Sequence, residues 1–263
     1  MIIATYNINS IRIRLNTLKE VVDKTNPDIL CLQETKVDDS LFPLESVQAL
    51  GYPHIYFSGQ KSYNGVAILS RIPLTNIHNL SIVNDDHKRH ISATLPNGTE
   101  LHNFYVPAGG DIPDRELNDK FDFKLRFMNF MAEWAQDMRN DKKSLIVVGD
   151  MNIAPLEHDV WSHKQLLGVV SHTPVEVEAM ELFRKSFDFV DTSRHFAPAP
   201  AKLYSWWSYR NQDWKKSDRG RRLDHIWVTS DLQPKLKSSY ILREARDFSN
   251  PSDHVPVVTE FDW

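Results

Sequence analysis

Apolar and polar residues alternate along this chain in two rhythms. Runs of five to seven mostly apolar residues, set off by Gly, Pro, Asn or Asp, read as strands at 2–8, 29–33, 65–70, 91–95, 101–106, 144–148, 223–228 and 255–261. Between them apolar residues recur every three or four positions, the spacing that lines one face of a helix. These segments are Leu15, Leu18 and Val22 ahead of Pro27; Phe123, Phe127, Phe130, Trp134 and Met138; and Val175, Ala179, Leu182 and Phe183. The third opens on Thr173-Pro174-Val175-Glu176, with a capping threonine, proline at the first helical position and a glutamate three residues after the cap. No Gly/Ser linker, repeat or low-complexity tract divides the chain. The pattern predicts one domain over residues 1–263, an α/β layered structure with sheet inside and helices outside.

Composition narrows the class. With 41% hydrophobic and 25% charged residues, disorder is excluded. The apolar runs, such as 145–148, fall far short of the roughly 18 residues a membrane helix needs. The start, MIIATYNINS, has no basic leader and reads as a first strand, so a cytoplasmic protein is expected. The single cysteine, Cys31, allows no intrachain disulfide and reads as a packed thiol within an apolar strand. The nine glycines form neither a dinucleotide-binding nor a P-loop pattern. A net charge of -4 gives no global attraction to nucleic acid, so any polyanion must be bound locally. Residues 210–222 carry six basic and two acidic side chains beside Trp206, Trp207 and Trp214. That mixture suits phosphates and bases, although a solvated surface loop has the same composition.

Candidate chemistry lies where polar residues meet strand ends. Asn7 and Asn9 close the first strand on one face, Glu34 follows 29–33, and Asp150 and Asn152 follow 145–149 with the same two-residue spacing. Asp224 borders Ile226-Trp227-Val228, and Asp253-His254 directly precedes Val255. Hard oxygen ligands with one histidine and no thiolate fit Mg²⁺ or Mn²⁺ better than structural zinc. Each residue alone has an ordinary use in capping a turn.

Together they resemble a known family. Asn7-Ile8-Asn9, Leu32-Gln33-Glu34-Thr35-Lys36, Tyr105-Val106-Pro107, Gly149-Asp150-Met151-Asn152-Ile153, Arg222-Leu223-Asp224 and Ser252-Asp253-His254-Val255-Pro256-Val257 occur in the order of the exonuclease III family of apurinic/apyrimidinic (AP) endonucleases. The match runs from residue 1 to about 262. The resemblance implies a DNase I-like four-layer α/β sandwich, two packed mixed sheets flanked by helices. It implies Mg²⁺- or Mn²⁺-dependent phosphodiester hydrolysis by a monomer acting on double-stranded DNA: AP endonuclease cleavage 5′ to abasic sites and/or 3′ to 5′ exodeoxyribonuclease and end-cleaning activity at damaged or recessed 3′ ends. By the same resemblance Glu34 is a metal ligand, assisted by Asn7, Asn9 and Asp253, with a second metal open at Asp150, Asn152 and His254. Asp150 handles the attacking water and Asn152 a nonbridging oxygen. His254, partnered by Asp224, and Tyr105 contact the scissile phosphate. Lys36, Tyr105, Trp206, Arg221, Leu223 and His254 face DNA, and Trp206, Leu223 and Arg221 match a pocket for an abasic nucleotide turned out of the duplex.

The chain departs from that pattern. Ser10 replaces a usual glycine, Ala108 stands where relatives carry an amide, and Arg221 replaces an aromatic, which is expected to loosen one side of the pocket. Trp161 and His163 mark a distinctive stretch at 159–172. His54, His78, His87, His102 and His195 read as surface or packing residues. Two rival readings remain: a related hydrolase acting on a small phosphoester, and a DNA-binding module without activity. Neither needs both the metal-ligand set and the Trp-rich basic segment.

Overall fold

The computed structural model describes residues 1–83, 86–211 and 213–263. Its strands are β1 (Ile2–Asn7), β2 (Ile29–Gln33), β3 (His54–Ser58), β4 (Val66–Ser70), β5 (Thr75–His78), β6 (His90–Thr94), β7 (Glu100–Tyr105) and β8 (Leu145–Asp150). They continue with β9 (Val190–Asp191), β10 (Trp206–Trp207), β11 (Gly220–Arg221), β12 (Asp224–Val228), β13 (Leu236–Ile241) and β14 (Val257–Phe261). One sheet runs β13-β14-β1-β2-β4-β3 and the other β5-β6-β7-β8-β12-β9, while β10 and β11 form a separate ribbon. Near the middle of each large sheet lies a parallel pair, β1 with β2 and β7 with β8, among otherwise antiparallel neighbours.

The sheets stack because the central strands are apolar on both faces. In β8, Ile146 and Val148 face the other sheet, where Ile3, Cys31 and Ile68 meet them. Leu145 and Val147 point outward beneath helices α2 (Asp119–Asn140) and α3 (Pro174–Ser186). On the other side Ala4, Tyr6 and Leu32 pack under α1 (Leu15–Thr25). Three apolar strata therefore hold four layers together, each buried large side chain contributing about 1.5–3 kcal/mol. This is the α/β sandwich expected. Cys31 is buried in it, and burial alone pushes its thiol far above the usual range.

All eight expected strands form. The last begins at Val257, not residue 255, because Pro256 has no N–H to pair. β3, β5 and β13 are sheet-edge strands; β5 is exposed along its length and β13 has no fully buried residue, so these two lack the apolar signature of a central strand. α3 starts as read, with Glu176 Oε2 accepting from the Thr173 N–H (3.1 Å) and hydroxyl (2.7 Å). Its inner face, however, is Glu176, Met180 and Phe183, while Val175 and Leu182 are 42% and 55% exposed. The buried glutamate explains the shift: Lys124 of α2 reaches it with Nζ at 2.5 Å from Oε1 and turns a polar position inward. Gly149, at φ +140, lets β7 and β8 meet, since a Cβ there would lie 1.9 Å from the Phe104 carbonyl oxygen. Among the described residues no helix is long and apolar enough to cross a membrane.

Candidate active site

Because β1 and β2 run parallel, as do β7 and β8, their carboxyl ends emerge on one side of the sandwich. Asn7, Tyr105 and Asp150 end three of these strands and Glu34 follows the fourth. Antiparallel β12 begins there, with Asp224 opposite Asp150 in the ladder. The 252–254 turn before β14 brings in Asp253 and His254. The chain leaves these strands through left-handed residues: Asn9 (φ 46), Ser10 (φ 84), Glu34 (φ 52), Lys36 (φ 51) and Asn152 (φ 51). Five such non-glycine residues at one sheet edge store strain, which clusters at functional sites.

The side chains interlock. Asn7 Nδ2 spans the two sheets, donating to Glu34 Oε1 and to Asp150 Oδ2, both at 2.9 Å. The Tyr105 hydroxyl donates to Glu34 Oε1 at 2.8 Å. Lys36 Nζ lies 2.7 Å from both Glu34 Oε2 and Asn9 Oδ1. Asn9 Nδ2 donates to Asp253 Oδ1 at 2.9 Å, and Trp206 Nε1 donates to Asp253 Oδ2 at 2.9 Å. Asn152 Nδ2 donates to Val106 O (2.9 Å) and Asp150 Oδ2 (3.1 Å), so both its amide hydrogens are engaged. His254 is held between two carboxylates, Nδ1 at 2.9 Å from Asp224 Oδ2 and Nε2 at 3.7 Å from Asp150 Oδ2.

The electrostatics divide the roles. Burial opposes a charged His254, but Asp224 and Asp150 outweigh it and raise the imidazole to about 10. Burial pushes Asp150 up to about 7; Asp224 and Glu34 reinforce this while His254 pulls the other way. Burial would also raise Glu34, yet the Lys36 charge and the Asn7 amide hold it below the ordinary carboxylate range. Tyr105 is pushed far up by burial, with Glu34 and Asp150 adding to it, so its phenol donates and does not act as a base.

The donor set fits a hard divalent cation. Glu34, Asp150 and His254 each offer one ligand atom within 4.8 Å of the others. The Lys36 ammonium bridging Glu34 and Asn9 is a cation already seated between two hard oxygens. Oxygens outnumber nitrogen in the cluster and none of its side chains carries sulfur, a set that suits a hard cation better than softer metals.

Sequence reasoning placed Asn7, Asn9, Glu34, Asp150, Asn152, Asp224, Asp253 and His254 in one cluster, and the fold brings them together. It missed Ser205, whose hydroxyl donates to Asp224 Oδ2 at 2.7 Å and accepts from the Leu223 and Asp224 N–H groups. It also missed Asn103, which accepts from Gln33 Nε2 at 2.6 Å across the sheets just beneath the site. A polar residue at an inward position of β7 was the signal for the second. The Trp-rich basic segment is more structural than its composition suggests. Trp207 and Trp214 are buried, and Arg222 is buried on Asp159 and Asp191; Gln212 lies outside the described residues. Arg221 is tied across to residues 170 and 171 over the face of Trp206, closing a side it was expected to loosen. Trp161 is partly buried, and His163 Nδ1 bonds His172 Nε2 at 2.8 Å. His102 is a packing residue as read, but it has an acidic partner on its own strand, Glu100, at 3.4 Å.

The sequence matches the model of the endonuclease/exonuclease/phosphatase family over residues 4–254. Exodeoxyribonuclease III of Haemophilus influenzae is 32% identical over an alignment of 270 residues that takes in 98% of each chain. The structure of an AP endonuclease from Archaeoglobus fulgidus superposes over the whole of both chains with a TM-score of 0.92 at 33% identity. A 3′ phosphatase from Neisseria, solved with a product DNA hairpin, is similar to the same degree: TM-score 0.92, 33% identity and full coverage of both chains.

Proposed function

Because the chain belongs to the endonuclease/exonuclease/phosphatase family, we propose that the cluster at the strand ends is its phosphodiesterase centre. The protein is a hydrolase, a DNA-repair nuclease of the exodeoxyribonuclease and AP endonuclease type. The observation that carries the assignment of the centre is the convergence of Asn7, Glu34, Asp150 and His254 from both sheets on one point. A single domain over residues 1–263, acting as a monomer, contains the whole centre in this reading. The substrate assigned is double-stranded DNA with an abasic site or a damaged or recessed 3′ end.

The family is metal-dependent, and the cluster can hold a metal. Glu34 is the principal ligand in this reading, with Asn7, Asn9 and Asp253 beside it and Asp150 and Asn152 as the donors of a second position, which His254 could join only as a neutral imidazole. Mg²⁺ or Mn²⁺ held there supplies positive charge to the phosphate oxygens and to the leaving 3′ oxygen. His254, kept cationic by Asp224, donates from Nε2 to the scissile phosphate, and in that form has no lone pair for a metal. Asp150 orients the attacking water and accepts its proton, the task of a base tuned near neutral pH. Asn152 reaches a nonbridging oxygen by exchanging its bond to Val106 or Asp150. Tyr105 donates to phosphate in place of Glu34. Lys36, which here pairs with Glu34, would be free to reach the DNA backbone were Glu34 engaged by a metal.

The test is a panel of duplexes carrying an abasic site, a 3′ phosphate, a recessed 3′ end or no lesion, each with Mg²⁺, Mn²⁺ or EDTA. Incision or end-processing with either metal and none in EDTA is expected. Binding to DNA without cleavage in any buffer would refute the reading and favour a non-catalytic module; release of phosphate only from small soluble esters would favour the other rival.

A further inference from the structure

The wall beside the carboxylate cluster is closed by a charged side chain. Arg221 stands directly opposite Trp206 in the β10–β11 ribbon. Its guanidinium carbon lies 5.2 Å from the centre of the Trp206 ring, and Nη1 donates to the Val170 carbonyl at 2.9 Å and the Ser171 hydroxyl at 2.7 Å. The edge of the indole is fixed as well, by its bond to Asp253. Leu223, the other apolar candidate for this wall, is only 4% exposed. The apolar face nearest the reacting groups is thus covered by a cation tethered at two points.

We propose that Arg221 is a specificity-determining latch, which closes this face to a sugar turned out of the duplex and so favours 3′-phosphate ends over internal abasic sites. The proposal rests on the nuclease reading above. In both reactions water oxygen bonds to phosphorus, the P–O3′ bond breaks, and the 3′ oxygen leaves with a proton as a hydroxyl. The reactions differ in what lies beyond the phosphorus. At an abasic site a deoxyribose and the rest of the strand must be seated there. At a 3′ phosphate there is nothing further, and the product is inorganic phosphate. Seating the sugar requires Arg221 to give up its ring contact and both acceptors, whereas the phosphate monoester leaves the latch in place.

The test compares kcat/KM for abasic-site incision with that for 3′-phosphate release, on duplexes of one sequence with Mg²⁺, for the wild type, Arg221→Leu and Ser171→Ala. Wild type should release phosphate the faster of the two. The ratio of incision to release should rise about ten-fold in Arg221→Leu, the order expected for removing a cation–π contact and two hydrogen bonds. It should rise by a smaller factor in Ser171→Ala, which removes one acceptor and spares the ring. An unchanged or lowered ratio in Ser171→Ala and in folded Arg221→Leu overturns the latch; should Arg221→Leu not fold, Ser171→Ala decides alone. A wild type that attacks neither substrate overturns the nuclease reading and the latch with it, whereas active wild type with an unmoved ratio sinks the latch only.

Discussion

Replacing Asp224 by Asn isolates one electrostatic task. The carboxylate lies 2.9 Å from His254 Nδ1 and contributes most to raising that imidazole to about 10 against the cost of burial. An amide of the same shape keeps a hydrogen-bond acceptor in place and removes the charge. With Asp150 left as the main support, at 3.7 Å from Nε2, His254 should fall to about 7–8, a change of roughly 3–4 kcal/mol in the cost of charging it. At pH 6 the variant imidazole is still cationic, and activity should lie close to wild type. At pH 8.5 only about 3% to a quarter of the variant would carry the proton, and at pH 9 about a tenth or less, against about nine-tenths or more of the wild type. The profile of kcat/KM from pH 5.5 to 9, on a 3′-phosphate duplex with saturating Mg²⁺, should therefore show the wild-type to variant ratio growing at least ten-fold toward alkaline pH. A ratio constant across that range would refute the argument and reduce Asp224 to a tether that orients the ring.

Three further outcomes follow from the same geometry. Glu34→Gln removes one ligand charge, so the metal concentration for half activity should rise and high Mg²⁺ should restore part of the rate; an unchanged metal titration contradicts that role. Asp150→Asn should lose at least about 10²-fold in kcat, the low end for a positioned acid–base group, while DNA binding measured by fluorescence anisotropy persists; near wild-type turnover would move the base elsewhere. Burial first and foremost lowers His90, His102 and His225, the last to about 4, so the unfolded chain takes up protons near pH 6.5 that the folded protein refuses. Their stability contribution is present above about 6.5 and is lost as pH falls through the folded values, with His225 alone costing about 2 kcal/mol between pH 6.5 and 5. His254, shifted upward, keeps its contribution throughout that window. Asp150, raised to about 7, works the other way and regains about 2 kcal/mol between pH 7 and 5, so the urea midpoint is measured in Asp150→Asn, where it should fall between pH 7 and 5; equal midpoints in that variant would contradict the histidine argument.

The strand-end motifs were legible because strand direction is local. Once 2–8, 29–33, 101–106 and 144–148 read as strands, whatever follows them must lie at their carboxyl ends, and the two parallel pairs put those ends on one side. Pairings across many residues were not legible. Trp206 bonds Asp253, Ser205 bonds Asp224, and Lys124 donates to Glu176 and to the Asn152 carbonyl. Nothing in the spacing of those residues announces their contact. The basic segment misled for a related reason: composition counts charges but not their partners, and Arg222 turns inward to two aspartates while Arg221 spans to the loop at 170–171. Val175 and Leu182 followed helical periodicity yet face outward, because the buried Lys124–Glu176 pair fixes the rotation of α3.

Hydrolysis by water at phosphorus is the central claim, and cleavage in H₂¹⁸O with Mg²⁺ tests it most directly, with wild type and Asp150→Asn run in parallel and products weighed by mass spectrometry. The account predicts one ¹⁸O in the released phosphate or 5′-phosphate, none in the 3′ hydroxyl, and a rate that falls at least about 10²-fold in the variant. Label in the 3′ oxygen, an unsaturated sugar fragment formed without solvent oxygen, or equal rates for the two proteins would contradict it.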